Sequence, residues 1–179
     1  MENQLSILFV FVVVITTCVR FWLGRRHICH VQAHRESVPS AFNKDISLSD
    51  HQKAADYTCA KTRLVLSSLV VQAILLLWFT LGGGLELIDQ YWRGHLVGHE
   101  FIRGGLVVLS AVVIGALVEL PFDYIKSFSV DERFGFNKMR PGMFFSDMLK
   151  HSLVGFIMGA PILFAAFWLM READSAGHG

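Results

Sequence analysis

The chain has 179 residues, 53% of them hydrophobic and only 17% charged, with a mean hydropathy of +0.47. Soluble domains carry about 25% charged residues, so this balance excludes an ordinary soluble domain and points to the membrane. A formal net charge of +1 supplies no field for polyanions, and no nucleic-acid partner is expected.

Four stretches approach the ~20 apolar residues that a helix needs to cross a bilayer. They run at about 5–23, 64–81, 106–122 and 152–170. This predicts an all-α integral membrane protein with about four transmembrane helices. A single membrane domain over 1–179 follows, with helical loops at 24–63 and 123–151. The leader "MENQ" has an acidic residue, no Lys or Arg, and no small-x-small cleavage site after the first run. The first run therefore reads as a retained anchor, not a removable signal peptide. No Lys or Arg precedes the first span, seven lie between the first and second, two between the second and third, and five between the third and fourth. Positive charge collects on the cytoplasmic side, so the N-terminus is expected outside and loops 24–63 and 123–151 in the cytoplasm.

After the first span, "RRHICHVQAHR" places His27, His30 and His34 at i, i+3 and i+7 on one helical face. With no carboxylate or Cys in register to complete a tetrahedral metal site, this reads as a basic amphipathic extension at the headgroups. Ser49, with Gln52 three positions on, forms a capping-box start. Nothing up to Leu81 breaks a helix, so the second span is expected to begin near residue 50 and stand about five turns proud of the bilayer. Cys18, Cys29 and Cys59 form no CxxC pair and read as small apolar side chains.

Inside the spans, Gln72 sits mid-way along the second and Glu119 closes the third just before Pro121. Intramembrane ionisable groups are rare and usually face a bundle interior or a wet cavity. Because Glu119 lies near the end of its run, it reads as an interfacial carboxylate. The external loop "HLVGHEFIR" has His95 and His99 at i, i+4, but its Glu100 follows the second His and position 103 is Arg. HExxH therefore fails, and neither a metal site nor a catalytic site is expected in this chain. Gly155 and Gly159 have the small-xxx-small spacing that lets one helix pack closely on another.

The segment "SVDERFGFNKMRPGMFF" interrupts the apolar pattern most sharply. Gly135 between Phe134 and Phe136 allows a turn that sets both rings to one side, and this knob is expected to pack on the long 49–81 helix. Met139-Arg140-Pro141-Gly142 reads as a second turn, and Ser146 or Asp147 as the cap of the last helix. The segment contains no nucleophile–base pair and no ligand set.

"HVQAHRESVPSAF", "ISLSDHQKAADYTCAKTRL", "LWFTLGGGLELID", "LPFDYIKSFSVDERFGFNK" and "FFSDMLKHSLVGFIMGAPIL" follow one another from about Phe21 to Met170. In that order they resemble the N-terminal membrane region of the type I CAAX prenyl endopeptidase family, bacterial type. The most diagnostic stretch is Glu132, Arg133, Phe134, Gly135, Phe136, Asn137 and Lys138. The resemblance implies a multi-helix membrane zinc metalloprotease whose helices enclose a chamber, located in the inner (cytoplasmic) membrane. It implies zinc in the full-length enzyme, on an HExxH helix that this chain lacks, and no cofactor in the chain itself. The expected partners are the lipid bilayer, the remaining peptidase portion in cis or as a separate chain, and a protein or prenylated-peptide substrate. The chain alone is then expected to be inactive, whether as a fragment or as a stand-alone descendant. The alternative is an independent four-helix module, a transporter or channel subunit or a scaffold, in which Gln72 and Glu119 mark a polar pathway.

Overall fold

Apolar length decides the architecture, and every regular element among the described residues is a helix. The structure, a computed structural model, describes residues 2–40, 42, 45–96, 100–137 and 139–176. Helix α1 spans Glu2–Ala33, α2 Leu48–Thr80, α3 Gly84–His95, α4 Glu100–Ile125 and α5 Pro141–Ala176. A π-helical segment, Lys126–Asp131, continues α4. Among the described residues, four helices are long and apolar enough to cross a membrane: those at Gln4–Ala33, Leu48–Thr80, Ile102–Asp131 and Pro141–Ala166. Helix α3 has 12 residues, or about 18 Å, short of the ~30 Å hydrocarbon core.

Two compact units are distinguished, one built from Met1–Gly84 with Val113–Lys138 and the other from Leu85–Val112 with Met139–Gly179. In the first, α1 and α2 pack along each other. A Cβ added at Gly24 would stand 2.6 Å from Leu66 Cδ2, so the missing side chain allows the close crossing. Leu66 and Cys59 of α2 are buried, and the Cys59 thiol points at the Ile28 carbonyl at 4.0 Å. Beyond the apolar section, polar contacts take over. Arg35 grips Asp56 through Nε and Nη2 at 2.8 and 2.9 Å, and His51 Nε2 meets the His34 carbonyl at 2.9 Å. The paired carboxylate raises the Arg35 pKa above its ordinary range, so this clamp stays cationic.

Several boundaries differ from the sequence-based expectation. The cap of α2 is Ser47, whose Oγ accepts from the Asp50 amide at 3.1 Å. The Ser-x-x-Asp frame beginning two residues earlier satisfies the same orphan donors as the expected Ser49 frame. Pro121 does not end the third span but lies inside α4. A proline removes one backbone hydrogen bond from a helix, and here the rest of a long apolar helix carries it through. The expected turn at 139–142 is instead the start of α5, with Pro141 in its first turn. There its lost N–H has no partner to lose. Arg140 O accepts from the Met143 and Phe144 amides at 2.9 and 3.1 Å, so Ser146 and Asp147 fall inside the helix, not at its cap. Around Gly155 and Gly159, no atom of the described residues outside their own helix stands within 4 Å of an added Cβ. The small-xxx-small pair therefore has no close helix partner among them.

Helix α3 falls between the second and third apolar runs, where the sequence predicts an external loop and no helix. The three glycines after Leu81 instead fold the chain around Trp78. Gly83 adopts φ 77, and a Cβ on Gly84 would stand 2.8 Å from Trp78 Cε3. Within the second unit, α3 meets the first half of α4 through two contacts. Asp89 pairs with Arg103 Nε at 3.0 Å while also pairing with Arg93, and Trp92 Nε1 donates to Ser110 Oγ at 3.0 Å.

Candidate functional site

The segment between α4 and α5 closes onto the N-terminal part of α2, where Tyr57 is the meeting point. Its hydroxyl donates to Asp131 Oδ1 at 3.0 Å. Phe134 stands edge-on to the Tyr57 ring, with centroids 5.6 Å apart, and Phe136 lies 4.8 Å away on a tilted plane. The turn that brings both phenyls to one residue runs through Gly135 at φ 77, a conformation costly for any side chain with a Cβ. Backbone bonds lock it: the Gly135 amide donates to Glu132 O at 2.9 Å and the Phe136 amide to Asp131 O at 2.8 Å. The Asn137 amide also donates to Asp131 O, at 3.2 Å. Asp131 therefore holds both ends of the joint, the tyrosine through its carboxylate and the turn through its carbonyl.

The other motif residues surround this core. Phe134 retains 9% exposure, with the Arg133 guanidinium 5.7 Å from its ring centroid. Phe136 is more open, and Lys53 Nζ lies 5.7 Å over its ring. Edge-to-face aromatic pairs add about 0.5–1.5 kcal/mol each beyond their burial, and a neutral hydrogen bond about 1 kcal/mol. Lys138 lies outside the described residues. Tyr57, Lys53 and Asp131 were not singled out in the sequence. Tyr57 and Asp131 are 74 residues apart, and no local spacing connects them.

A second polar contact lies deeper along the same helices. Gln72 Nε2 of α2 donates to Glu119 Oε1 of α4 at 2.9 Å and to Ser68 Oγ at 3.0 Å. The two intramembrane polar residues singled out separately in the sequence therefore pair with each other. Glu119, expected as an interfacial carboxylate, is also a helix-to-helix partner of Gln72.

Neither cluster has the parts for bond cleavage. The Asp131 carboxylate accepts from a phenol, and the surrounding groups are aromatic rings and cations. Among the described residues, no group of three or more His, Cys, Asp and Glu could hold a metal ion, so these residues do not fit a zinc site. His30 and His34 have ring centroids 4.3 Å apart, but His34 Nδ1 is engaged by the His30 carbonyl at 2.9 Å. His95 Nδ1 lies 2.8 Å from the Tyr91 carbonyl, while its sequence neighbour His99 lies outside the described residues. The knob can fasten the 126–137 segment to α2, and that is its chemistry.

The sequence model of a family described as "CAAX prenyl protease N-terminal, five membrane helices" matches residues 27–177. Among curated proteins, a CAAX prenyl protease 1 homolog of Caenorhabditis elegans is 26% identical over 141 residues. The match covers 78% of this chain and 31% of that protein. The Dictyostelium discoideum homolog is also 26% identical, over 143 residues, covering 75% of this chain and 32% of the relative. A Taenia solium homolog is 32% identical over 85 residues, covering 48% of this chain and 17% of the relative. The crystal structure of S. mikatae Ste24p superposes with a TM-score of 0.74 at 19% identity, covering 89% of this chain and 38% of that one. At that identity the superposition speaks for the fold alone. The chain spans about a third or less of the length of these curated relatives and 38% of the Ste24p chain. With its model matched over most of the chain, the family is established: the chain belongs to the CAAX prenyl protease N-terminal family.

Proposed function

We propose that the chain is the membrane scaffold of a CAAX-prenyl-protease-like zinc metalloendopeptidase. In this reading it builds part of the wall of a membrane chamber in which a prenylated or membrane-borne protein is cut. Zinc and the general base come from a peptidase portion in cis or on a separate chain, a reading supported by the lack of a ligand group for a metal ion among the described residues. The carrying observation is the Tyr57–Asp131 joint with its Phe134-Gly135-Phe136 turn. It fixes a loop rich in charge and aromatic rings rigidly onto a long helix, as a brace for an adjoining catalytic part would require. The Lys and Arg distribution supports a cytoplasmic position for this brace, with the N-terminus outside. An inner-membrane location belongs to the same reading.

The test joins the chain to a zinc peptidase portion of the family and follows cleavage of a farnesylated peptide. Gly135→Val, which forces a β-branched residue into φ 77, is expected to lower turnover at normal zinc content and expression. Glu132→Ala and Asn137→Ala should act in the same direction. Unchanged turnover in all three would overturn the bracing role. The independent-module alternative requires Gln72 and Glu119 to line a pathway, and their mutual hydrogen bond favours a bundle-holding role instead. Ion flux through liposomes containing the chain alone would revive the alternative.

A further inference from the structure

A cleft of about 360 Å³ opens between α1, α2 and the α4–π helix in the first unit. Its polar lining carries both signs of charge: Arg20 from α1, Glu119 and Asp123 from α4, and Lys126 from the π-helical segment. Glu119 is engaged by Gln72. Arg20, Asp123 and Lys126 make no ion pair and no side-chain hydrogen bond with any described residue. Arg20 lies close to the end of the apolar run 5–23, where a long cationic side chain can reach a lipid headgroup. The rest of the cleft wall adds the polar Thr62, Ser68 and Gln72 to an apolar part that includes Leu69 and Phe122. Two cations and two carboxylates, none of them ion-paired with a described residue, thus share one cleft with an apolar wall.

We propose that this cleft holds one amine-bearing zwitterionic glycerophospholipid. Its phosphate sits between Arg20 and Lys126, its ammonium on Asp123, and its acyl chain along Leu69 and Phe122. Charge-assisted bonds to a phosphate suit a guanidinium and an ammonium, and the bound lipid gives each of the three unpaired groups a partner of opposite charge. Free phosphate would leave Asp123 opposed and the apolar wall uncovered. An anionic lipid would satisfy the cations and leave the carboxylate without a partner.

The full chain, purified and delipidated in a mild detergent, can be titrated under native mass spectrometry. The probes are dioleoyl phosphatidylethanolamine, dioleoyl phosphatidylglycerol, dioleoylglycerol and inorganic phosphate. The expected result is one phosphatidylethanolamine per chain, with dioleoylglycerol at least about tenfold weaker for want of the charge-assisted contacts. Inorganic phosphate should not displace the lipid. Arg20→Gln combined with Lys126→Gln should weaken phosphatidylethanolamine by about tenfold or more, and Arg20→Lys should keep it. Asp123→Asn should erase the preference for phosphatidylethanolamine over phosphatidylglycerol. Equal binding of dioleoylglycerol, displacement by inorganic phosphate, or an unchanged double variant would each overturn the proposal. The comparison of phosphatidylethanolamine with dioleoylglycerol uses the unaltered chain and decides the matter even where a variant fails to fold.

Discussion

Tyr57 of α2 is half-buried beneath two phenyl rings and hydrogen-bonded to a residue 74 positions away. On α5, by contrast, Leu149, Met158 and Ile162 are 69%, 63% and 69% exposed. Both regions are helical, but for different reasons. The N-terminal part of α2 is held in place by side chains from distant sequence. Helix α5 is helical because in an apolar medium every backbone group must bond within its own segment. Lipid tails are as apolar as leucine, so bare aliphatic side chains there carry no penalty. The densest long-range contacts described in this chain gather where the α4–α5 segment meets α2, with the Gln72–Glu119 bond and the Gly24–Leu66 crossing added within the spans.

Substitutions at the two regions should separate sharply. Tyr57→Ala removes two ring contacts and a hydrogen bond, and should lower stability by about 2–3 kcal/mol. Ile162→Ala on α5 should leave thermal unfolding in the same detergent nearly unchanged. Tyr57→Phe, which keeps the rings, should lose only about 1 kcal/mol. A large loss from Ile162→Ala would mean that α5 is packed against protein, and would collapse the contrast. Next in size is Gly24→Val, which drives a branched side chain into Leu66. Overpacking of this kind costs about 1–3 kcal/mol, and cysteine crosslinks between α1 and α2 should form more slowly in the variant.

Gln72→Ala breaks the bond to Glu119. Interhelical hydrogen bonds within membranes average about 0.6 kcal/mol, so a small shift in unfolding is expected, with no loss of assembly. The smallest effect belongs to Arg35→Ala. Its ion pair with Asp56 is solvent-exposed, and exposed pairs are weak and screened by salt. Any difference from the parent in a thermal melt should vanish at high ionic strength.

The parts that composition controls were legible in the sequence. Four apolar runs became four membrane-length helices, and Gly135 between two phenylalanines marked a turn. What escaped depended on context or on distance. Pro121 and Pro141 both resemble helix ends on a local reading. One lies inside a helix that tolerates it, and the other occupies a first turn where proline does no harm. Helix α3 is short and flanked by glycines, and its contacts to Arg103 and Ser110 come from the next helix. That the Phe134-Gly135-Phe136 knob packs on the 49–81 helix was legible in the sequence, but the residues that make the joint were not. Neither Tyr57 nor Asp131 is unusual in its own neighbourhood, and only folding brings them together. The same holds for Gln72 and Glu119, 47 residues apart.

As proposed, this chain supplies the scaffold of a prenyl protease and not its chemistry. The proposal is tested most directly by purifying the chain alone in detergent, measuring bound zinc after dialysis, and assaying cleavage of a farnesylated CAAX peptide. The account predicts zinc far below one per chain and no cleavage above a no-protein control. One tightly held zinc per chain, accompanied by turnover that a chelator abolishes, would contradict it.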